Sequence, residues 1–521
     1  MKWSRITSSK KAPRCPHTAP ALLVTFLIAL ILGCGGSSGV SSGGSGATVT
    51  PPPPPPANAK EWTWVGGSNM RSSIPSSVYG TEGVASAANI PGGRAGAISW
   101  TDSSGNFWLF GGGRVDPLGT MGPRNDLWQY NPTSKEWTWV SGSSTVPGNQ
   151  VAVYGTLGTA AAANIPGGRV GSVSWIDGSN NLWLFGGGGY DSMGNPGILN
   201  DLWEFNPTSK DWTWVGGSDL QNGKAVYGTL GVAAAANIPG ARSGAVSWTD
   251  HNGNFWLFGG GGFDSTGTLG NFNDLWEFNP STKQWSWVSG SSTVNAKGVY
   301  GTLGSGSAAN VPGAREAAVS WADSSGNLWL FGGYGSDSTG GPAASEYDLN
   351  DLWEFSPSTK EWTWISGTST VSTVAPGAAT CVPGVYGAEG TAANTDVPGG
   401  RNSAVSWIDA SSNLRLFGGL GCDASGTTGA LNDLWEFSAA NKTWTWQSGS
   451  NSVGAAQGGT GGQSGVYGTK GTAAAANTPG GREGSVTWVD PSGNLWLFGG
   501  DGHDSTGNPG GELNDLWSYT P

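Results

Sequence analysis

The sequence predicts an all-β protein in which a unit of four short strands recurs six times. Of its 521 residues, 91 are glycine and 30 are tryptophan, while only 12% are charged. This composition is typical of turn-rich, aromatic-rich sheets rather than of helices. The motif Pro-Gly-(Gly/Ala)-Arg recurs six times, with successive arginines 73 to 86 residues apart. The abundant tryptophan excludes a disordered chain, and the lack of a Gly-X-Y triplet excludes collagen.

Residues 1–33 have the pattern of a secretory signal peptide. Five basic side chains precede an apolar run at 21–32, which is too short to span a bilayer. The end of this run, Ile-Leu-Gly-Cys, resembles a bacterial lipobox, which implies that Cys34 becomes the lipidated first residue of the exported protein. Gly35 after the cysteine then implies transfer to the outer membrane or cell surface. An ordinary cleaved signal followed by an incidental cysteine is the alternative.

Residues 34–60 are predicted to tether a folded domain at 61–521 to that surface. A flexible Gly/Ser-rich stretch is followed by six prolines at 51–56, which favour a stiff polyproline helix. The whole chain has a formal net charge of −12, and the residues after the signal carry −17 because the signal contains five basic and no acidic side chains. We therefore expect no binding to nucleic acid and no membrane contact except through the lipid anchor.

Each copy of the repeat contains four segments with strand character. In the second copy these are residues 172–175, 182–187, 200–205 and 212–215. Alternating apolar and polar residues, together with many aromatic and β-branched side chains, favour strands over helices. The first two segments are joined by a short turn of Asp, Gly, Ser and Asn, which is typical of a β-hairpin.

Six copies of four antiparallel strands predict a β-propeller, because each sheet then buries its faces against its neighbours. The strand ending in Phe-Gly-Gly, followed by Asp-Leu-Trp and then by Trp, resembles the kelch repeat of galactose oxidase-like propellers. The resemblance covers residues 61–521 and implies six kelch-type blades. The copies are longer than the roughly 50 residues of kelch repeats generally. The excess lies mainly between the fourth strand and the next arginine, as at 141–168.

Two motif counts predict how the propeller closes. Trp-x-Trp occurs six times, beginning with Trp62 and Trp64, and Asn-Asp-Leu-Trp occurs six times, ending with Trp517. Because the first Trp-x-Trp precedes every other strand and the last copy has none, we expect the strand at 62–65 to complete the blade of residues 482–521. All tryptophans except Trp3 occupy repeated strand positions, which predicts packing between blades rather than platforms for sugars.

Unrepeated aromatic residues are the first group of candidate binding residues. In an antiparallel blade, the loops between the second and third strands emerge beside the long inserts, at an end that we call the long-loop face. The short hairpins between the first two strands emerge at the other end, the hairpin face. Five aromatic residues on the long loops of copies two to four do not repeat. They are expected either to contact a ligand or to pack beneath the long loops and cover them. They are Tyr190, Phe263, Phe272, Tyr334 and Tyr347.

The arginines of the repeated motif are the second group of candidates. The resemblance to kelch domains implies that this position can face the mouth of the central channel, where a guanidinium group receives a carboxylate or another anion. The alternative, favoured by the six-fold repetition, is that each arginine pairs with an acid of its own copy, such as Asp201 or Asp191. The six residues are Arg94, Arg169, Arg242, Arg315, Arg401 and Arg482.

No pattern predicts a metal or cofactor. The acids that follow the diglycine, mostly as Asp-Ser-x-Gly, lack the alternating carboxylates of an EF-hand and predict Asx turns. The resemblance to copper galactose oxidases implies paired His and Tyr ligands, yet the exported chain contains only His251 and His503. We expect these two histidines at opposite faces, which argues against copper chemistry.

Catalysis by carboxyl groups is an alternative function. Glu316 and Glu483 directly follow two motif arginines and break the repeat. The similarity to a kelch-like bacterial sialic acid epimerase implies a sugar-acid epimerase or lyase, in which a glutamate acts as general base beside an anion-holding arginine. Salt bridges between these neighbours are the structural alternative.

The remaining cysteines agree with export. Cys381 and Cys422 both lie in unrepeated sequence of the fifth copy and at the same predicted face, so we expect a disulfide outside the cytoplasm. The sequence as a whole predicts a monomeric, lipid-anchored envelope protein that binds a glycan or another envelope or extracellular protein through its long-loop face. A sugar-acid enzyme and a purely structural surface module are the alternatives.

Overall fold

Antiparallel β-sheet accounts for the regular structure of the chain. A computed structural model describes residues 60–71, 77–115, 121–145, 150–340, 347–371, 381–409, 411–454, 460–508 and 511–521. The predicted signal peptide, Cys34 and the tether up to residue 59 lie outside these ranges. Within them, no helix has the length and apolar character needed to cross a bilayer.

The described residues form 38 strands. The first nineteen are β1 (Glu61–Gly66), β2 (Ile98–Thr101), β3 (Phe107–Phe110), β4 (Gly113–Val115), β5 (Met121–Pro123), β6 (Leu127–Asn131), β7 (Glu136–Ser141), β8 (Arg169–Val170), β9 (Val173–Ile176), β10 (Leu182–Tyr190), β11 (Pro196–Asn206), β12 (Asp211–Gly216), β13 (Arg242–Ser243), β14 (Val246–Thr249), β15 (Phe255–Phe258), β16 (Gly261–Phe263), β17 (Leu269–Asn271), β18 (Leu275–Asn279) and β19 (Gln284–Ser289). The others are β20 (Arg315–Glu316), β21 (Val319–Ala322), β22 (Leu328–Phe331), β23 (Tyr334–Gly335), β24 (Tyr347–Asp348), β25 (Leu352–Ser356), β26 (Glu361–Ser366), β27 (Arg401–Asn402), β28 (Val405–Ile408), β29 (Leu414–Phe417), β30 (Leu420–Cys422), β31 (Thr428–Ala430), β32 (Leu434–Ser438), β33 (Thr443–Ser448), β34 (Arg482–Glu483), β35 (Val486–Val489), β36 (Leu495–Phe498), β37 (Asp501–Gly502) and β38 (Leu516–Thr520).

Each copy of the repeat contributes one four-stranded antiparallel sheet, as predicted. Sheets 1 to 6 are β2-β3-β6-β7, β9-β10-β11-β12, β14-β15-β18-β19, β21-β22-β25-β26, β28-β29-β32-β33 and β35-β36-β38-β1. Short strands beside the long loops pair separately, in the groups β4-β5, β13-β16-β17, β20-β23-β24, β27-β30-β31 and β34-β37, and β8 pairs with β10. The described chain is therefore all-β and compatible with a β-propeller.

The first strand of the folded chain supplies the fourth strand of sheet 6. β1 pairs antiparallel with β38, which sets Trp62 opposite Tyr519 and Trp64 opposite Trp517. The backbone carbonyl of Trp62 also accepts a 2.9 Å hydrogen bond from the side-chain amide of Asn477. This pairing joins the two ends of the folded chain.

Tryptophans fill the space between neighbouring sheets. Trp175 of sheet 2 stacks on Phe255 of sheet 3 with ring centroids 5.3 Å apart, and its indole N–H donates to the carbonyl of Trp256. The same stacking joins sheets 6 and 1, where Trp488 lies on Phe107. None of the tryptophans in the described ranges is exposed, which confirms the packing role predicted for them.

The first strands of the six sheets lie side by side in chain order, and the first strand of sheet 6 also contacts that of sheet 1. A hydroxyl on each first strand donates to a carbonyl of the neighbouring first strand at 3.1–3.5 Å. One such bond runs from Ser99 of sheet 1 to Thr487 of sheet 6. Before each first strand, a backbone N–H donates to the equivalent carbonyl of the preceding copy, and Gly96 of copy 1 donates to Gly484 of copy 6.

These backbone hydrogen bonds use a left-handed conformation that glycine adopts most easily. Four of the six residues are glycine, whereas Ala317 and Ser403 both have φ of 53°. Replacing Ala317 with glycine is expected to raise the free energy of unfolding by about 0.5–1 kcal/mol, because the strain of a Cβ at positive φ exceeds the entropy cost of glycine. Chemical denaturation measures the change. The adjacent Ala318→Gly, where φ is not positive, is the control and is expected to destabilise; the same sign for both variants would contradict the argument.

Candidate functional site

The motif arginines are buried within the sheets. Arg169 is 1% exposed and forms a two-point ion pair with the fully buried Asp201, at 2.7 and 2.8 Å. Its guanidinium also donates to the carbonyls of Gly167 and Gly186. The other pairs are Arg94–Asp126, Arg242–Asp274, Arg315–Asp351, Arg401–Asp433 and Arg482–Asp515. Pairing with an acid of the same copy is thus confirmed, and the expectation that these guanidinium groups receive an anion at the channel mouth is wrong because they are enclosed and paired.

Each of these aspartates is the centre of a larger buried network. The hydroxyl of Tyr154 and the indole N–H of Trp203 both donate to Oδ2 of Asp201 at 2.7 Å. Burial, followed by the Asp201 carboxylate, raises the pKa of Tyr154 and keeps its hydroxyl a donor. Burial alone would lower the pKa of Arg169, but Asp201 raises it. The network was not predicted, although the spacing of 47 to 51 residues between Tyr-Gly and the aspartate in every copy is its signal in the sequence.

Two of the five unrepeated aromatic residues are inaccessible to a ligand. Phe272 is fully buried, and the guanidinium carbon of Arg242 lies 4.1 Å from the centroid of its ring. Tyr347 is 5% exposed and packs in a small apolar cluster. For these two, a role as surface contacts is wrong, and the alternative of covering long loops applies. The three with accessible surface are Tyr190 and Phe263, which are half-buried, and Tyr334, which is 36% exposed.

A cavity of about 220 Å³ runs between the six first strands. Three consecutive residues from every copy line it, for example 97–99 in copy 1 and 172–174 in copy 2. Its polar lining includes the ring of Ser and Thr hydroxyls that donate to neighbouring strands. The cavity wall is therefore nearly the same in every copy, and any specificity must come from its ends.

At the long-loop end of this channel, the repeat changes in half of the copies. The residue two positions before the channel wall is uncharged and short, namely Ala, Val or Ser, in copies 1 to 3, but carries a carboxyl or amide group, as Glu316, Asn402 or Glu483, in copies 4 to 6. Backbone pairing sets Tyr334 opposite both Glu316 and Asp348, and Asp501 opposite Glu483. The Asn402 amide donates to Oδ1 of Asp348 at 2.7 Å. We call the following residues the mouth cluster: Glu316, Tyr334, Asp348, Asn402, Glu483 and Asp501.

The mouth cluster is acidic and partly dehydrated. Burial, followed by the charges of Asp501 and Asp348, raises the pKa of Glu483 to about 7. Burial also raises the pKa of Asp348 to about 7, although Asn402 and Arg401 act in the opposite direction. Closely spaced carboxyl groups that titrate near neutral pH are typical of a functional site. The two glutamates can be singled out in the sequence because they break the repeat, whereas Asp348 and Asn402 meet only because neighbouring copies pack together.

The raised pKa of Glu483 predicts a pH-dependent effect of removing its charge. An unfolded glutamate releases its proton near pH 4.3, whereas folded Glu483 keeps it up to about pH 7. Between these values the folded state binds the extra proton, so this group makes the protein less stable as pH rises. Glu483→Gln is expected to match the parent near pH 4 and to be more stable above pH 7. Thermal unfolding across that range measures this, and parallel profiles for both proteins would contradict the shift.

The loop acids form Asx turns, as predicted. Oδ1 of Asp191 accepts hydrogen bonds from the backbone N–H groups of Met193 and Asn195. Although burial opposes it, these bonds lower the pKa of Asp191. The equivalent turns are at Asp264, Asp337, Asp423 and Asp504, while Asp116 lies outside the described residues. Among the residues that the structure describes, no group of three or more His, Cys, Asp or Glu side chains is arranged to hold a metal ion.

Cys381 and Cys422 form a buried disulfide, as predicted. It links the insert of copy 5 to β30 on the long loop of the same copy. His251 lies in the exposed hairpin between β14 and β15, whereas His503 is buried directly after β37, beside a long loop. The two histidines are thus on loops at opposite ends of their sheets.

Comparison with models of known protein families gives no match, and comparison with curated proteins gives none either.

Proposed function

We propose that the six sheets are the blades of a closed, six-bladed kelch-type propeller. The hydrogen bonds between neighbouring first strands pass through all six copies and return to the first, and β1 supplies the fourth strand of sheet 6. Both observations support closure by the first strand. The repeated Phe-Gly-Gly and Asn-Asp-Leu-Trp segments support the kelch assignment.

In this proposal the propeller is exported, lipidated at Cys34, held away from the membrane by residues 34–60, and acts as a binding module through its long-loop face. The observation that carries the binding role is the mouth cluster. A residue that serves the fold of a repeat protein is needed in every copy, as Asp201 and its equivalents are. Charged and hydrogen-bonding side chains confined to one half of the channel mouth instead serve a partner that lies off the axis.

The electrostatics of this face favour a neutral or positively charged partner. The chain after the signal carries a net charge of −17, and the mouth cluster adds carboxyl groups at the centre of the face. The motif arginines are enclosed by their aspartates, so they offer no cation to a sugar acid. Suitable partners are a basic segment of an envelope or extracellular protein and, with fewer charge contacts, a neutral glycan.

A binding screen with residues 57–521 against neutral glycans and extracellular proteins tests this function. We expect saturable binding that is about tenfold or more weaker in the variant Tyr334→Ala/Asn402→Ala, because central contacts dominate the affinity of an interface. Val170→Ala changes the opposite half of the mouth and is expected to leave affinity nearly unchanged. If neither variant changes the affinity, the partner binds elsewhere on the protein. If the screen finds no saturable partner, a purely structural module is favoured.

Catalysis is the second candidate function, and the raised pKa of Glu483 is the observation that favours it. A carboxyl group that titrates near pH 7 can act as general acid and general base at neutral pH. The enclosed arginines remove the anion site that a sugar-acid epimerase or lyase needs, so a neutral substrate fits better. Turnover that is lost in Glu483→Gln but kept in Val170→Ala would support an enzyme; no turnover of neutral glycosides or sugar acids by the parent protein would exclude it for those substrates.

A further inference from the structure

A cavity of about 400 Å³ lies at the hairpin face between sheets 4 and 5, at the opposite end of the molecule from the mouth cluster. Sheet 4 supplies the hairpin of residues 323–327 and the side chain of Glu354. Sheet 5 supplies the hairpin residues 411–413 and the turn residues 439–442. The volume is within the range of small-molecule sites and near its lower end.

Three lining residues of copy 5 depart from the repeat. Ala439 replaces the proline found at this turn in copies 1 to 4, and Ala440 replaces Thr or Ser. The turn itself keeps its backbone, since Lys442 has φ of 55° and the equivalent lysines have 56–62°. Ser412 has φ of 63° at a position that is mostly glycine. Smaller side chains on an unchanged turn leave room between the sheets, and the strained serine adds a hydroxyl to the wall.

The carboxylate of Glu354 has no hydrogen-bond partner in the described chain, unlike its counterparts. In sheets 2 and 3, Asn181 and Asn254 donate to the equivalent glutamates at 2.9 Å. In sheet 4, the amide of Asn327 keeps the bond to the hairpin aspartate that its counterparts also make, but it makes none to Glu354. Glu354 is half-buried, and burial raises its pKa although Lys442 acts in the opposite direction. Glu354 lines the cavity and is not fully buried, so its oxygens are free to accept hydrogen bonds from a ligand that displaces water there.

We propose that this cavity binds a single neutral sugar ring. Two neighbouring hydroxyls of a hexose can donate to Glu354, while the Asn413 amide, the serine hydroxyls and the Lys442 ammonium offer complementary donors and acceptors. The indole of Trp329 forms part of the wall. The acids Asp323 and Glu354 repel an anionic sugar, and the volume suits one ring rather than a chain. This site is independent of the proposed partner at the mouth cluster.

Saturation-transfer NMR of the exported protein with the methyl glycosides of glucose, galactose and mannose tests the site. We expect saturable, millimolar binding of at least one glycoside. Glu354→Ala is expected to weaken it by about tenfold or more, because a hydrogen bond to a charged group is lost. The matched control is Glu277→Ala in sheet 3, where Asn254 already bonds the carboxylate, and it is expected to leave affinity unchanged.

A second variant tests the site without changing the charge of Glu354, by giving the turn of copy 5 the residues of the other copies. Ala439→Pro/Ala440→Thr introduces the residues that copy 2 carries at 207–208, so it is expected to fold and to abolish binding by filling the cavity. Tyr334→Ala/Asn402→Ala at the mouth is expected to retain glycoside binding, which separates this site from the proposed function. Binding that survives in both the Glu354 variant and the filled variant, or no saturable binding of any of the three glycosides, would overturn the proposal.

Discussion

Replacing Asp201 with alanine is expected to lower the free energy of unfolding by about 3–5 kcal/mol, the usual cost of breaking a buried ion pair. Asp201 is fully buried and accepts hydrogen bonds from Arg169, Tyr154 and Trp203. Its removal leaves a buried guanidinium without a counter-charge and two further donors without an acceptor. The measurement is urea or guanidinium denaturation of the purified protein.

Asp211→Asn is the matched control for this variant. Asp211 lies in β12 of the same sheet and is half-buried, and its carboxylate takes part in no ion pair of the described chain. We expect a change within about 0.5 kcal/mol. A small loss for Asp201→Ala, similar to that of the control, would contradict the view that the Arg–Asp networks hold each copy together.

Replacing Trp62 with alanine is expected to lower the free energy of unfolding by about 3–5 kcal/mol. Its side chain is 3% exposed, and its ring lies 5.2 Å from that of Phe417 in sheet 5 and 5.0 Å from that of Tyr519 in sheet 6. The substitution therefore leaves a cavity where the two ends of the folded chain meet a neighbouring sheet.

Thermal and chemical unfolding measure the effect of Trp62→Ala. Glu61→Ala, on the same strand but half-buried, is the control and is expected to change stability by less than about 1 kcal/mol. Equal, small effects of both substitutions would mean that β1 is dispensable for the stability of the domain.

Because the four-stranded unit recurs, the arrangement of strands in this protein could be predicted from one sequence. Each strand position occurs in several copies, so alternation and turn residues could be compared within the chain itself. The pairing of Trp62 with the last copy followed from counting two motifs. For Arg169, the sequence favours an acid of its own copy as the partner, because a residue present six times serves the repeat, but it leaves an anion at the channel mouth as the alternative.

Unrepeated residues were harder to interpret, because the copies offer no comparison for them. Phe272 and Tyr347 break the repeat as Tyr334 does, yet the first two fill gaps beneath the long loops and only Tyr334 is exposed. The contact between Asp348 and Asn402 joins two copies, and its geometry depends on how neighbouring sheets pack. Positions that depart from the repeat therefore indicate where one copy differs in structure from the others. They do not indicate whether the side chain faces a ligand or the core.

In the proposed propeller, the first strand of the domain closes the circle of sheets by pairing with the last strand. Thr63 lies directly opposite Ser518 in the β1–β38 register, within the distance that a disulfide can bridge in an antiparallel pair. In the monomeric fraction of the Thr63→Cys/Ser518→Cys variant, peptide mapping after mild oxidation is predicted to find residues 63 and 518 linked. The control is Thr63→Cys/Gln129→Cys, since Gln129 is the equivalent residue of sheet 1 and pairs with Thr138. No link within one chain between 63 and 518, or an equally efficient link between 63 and 129, would contradict closure by β1.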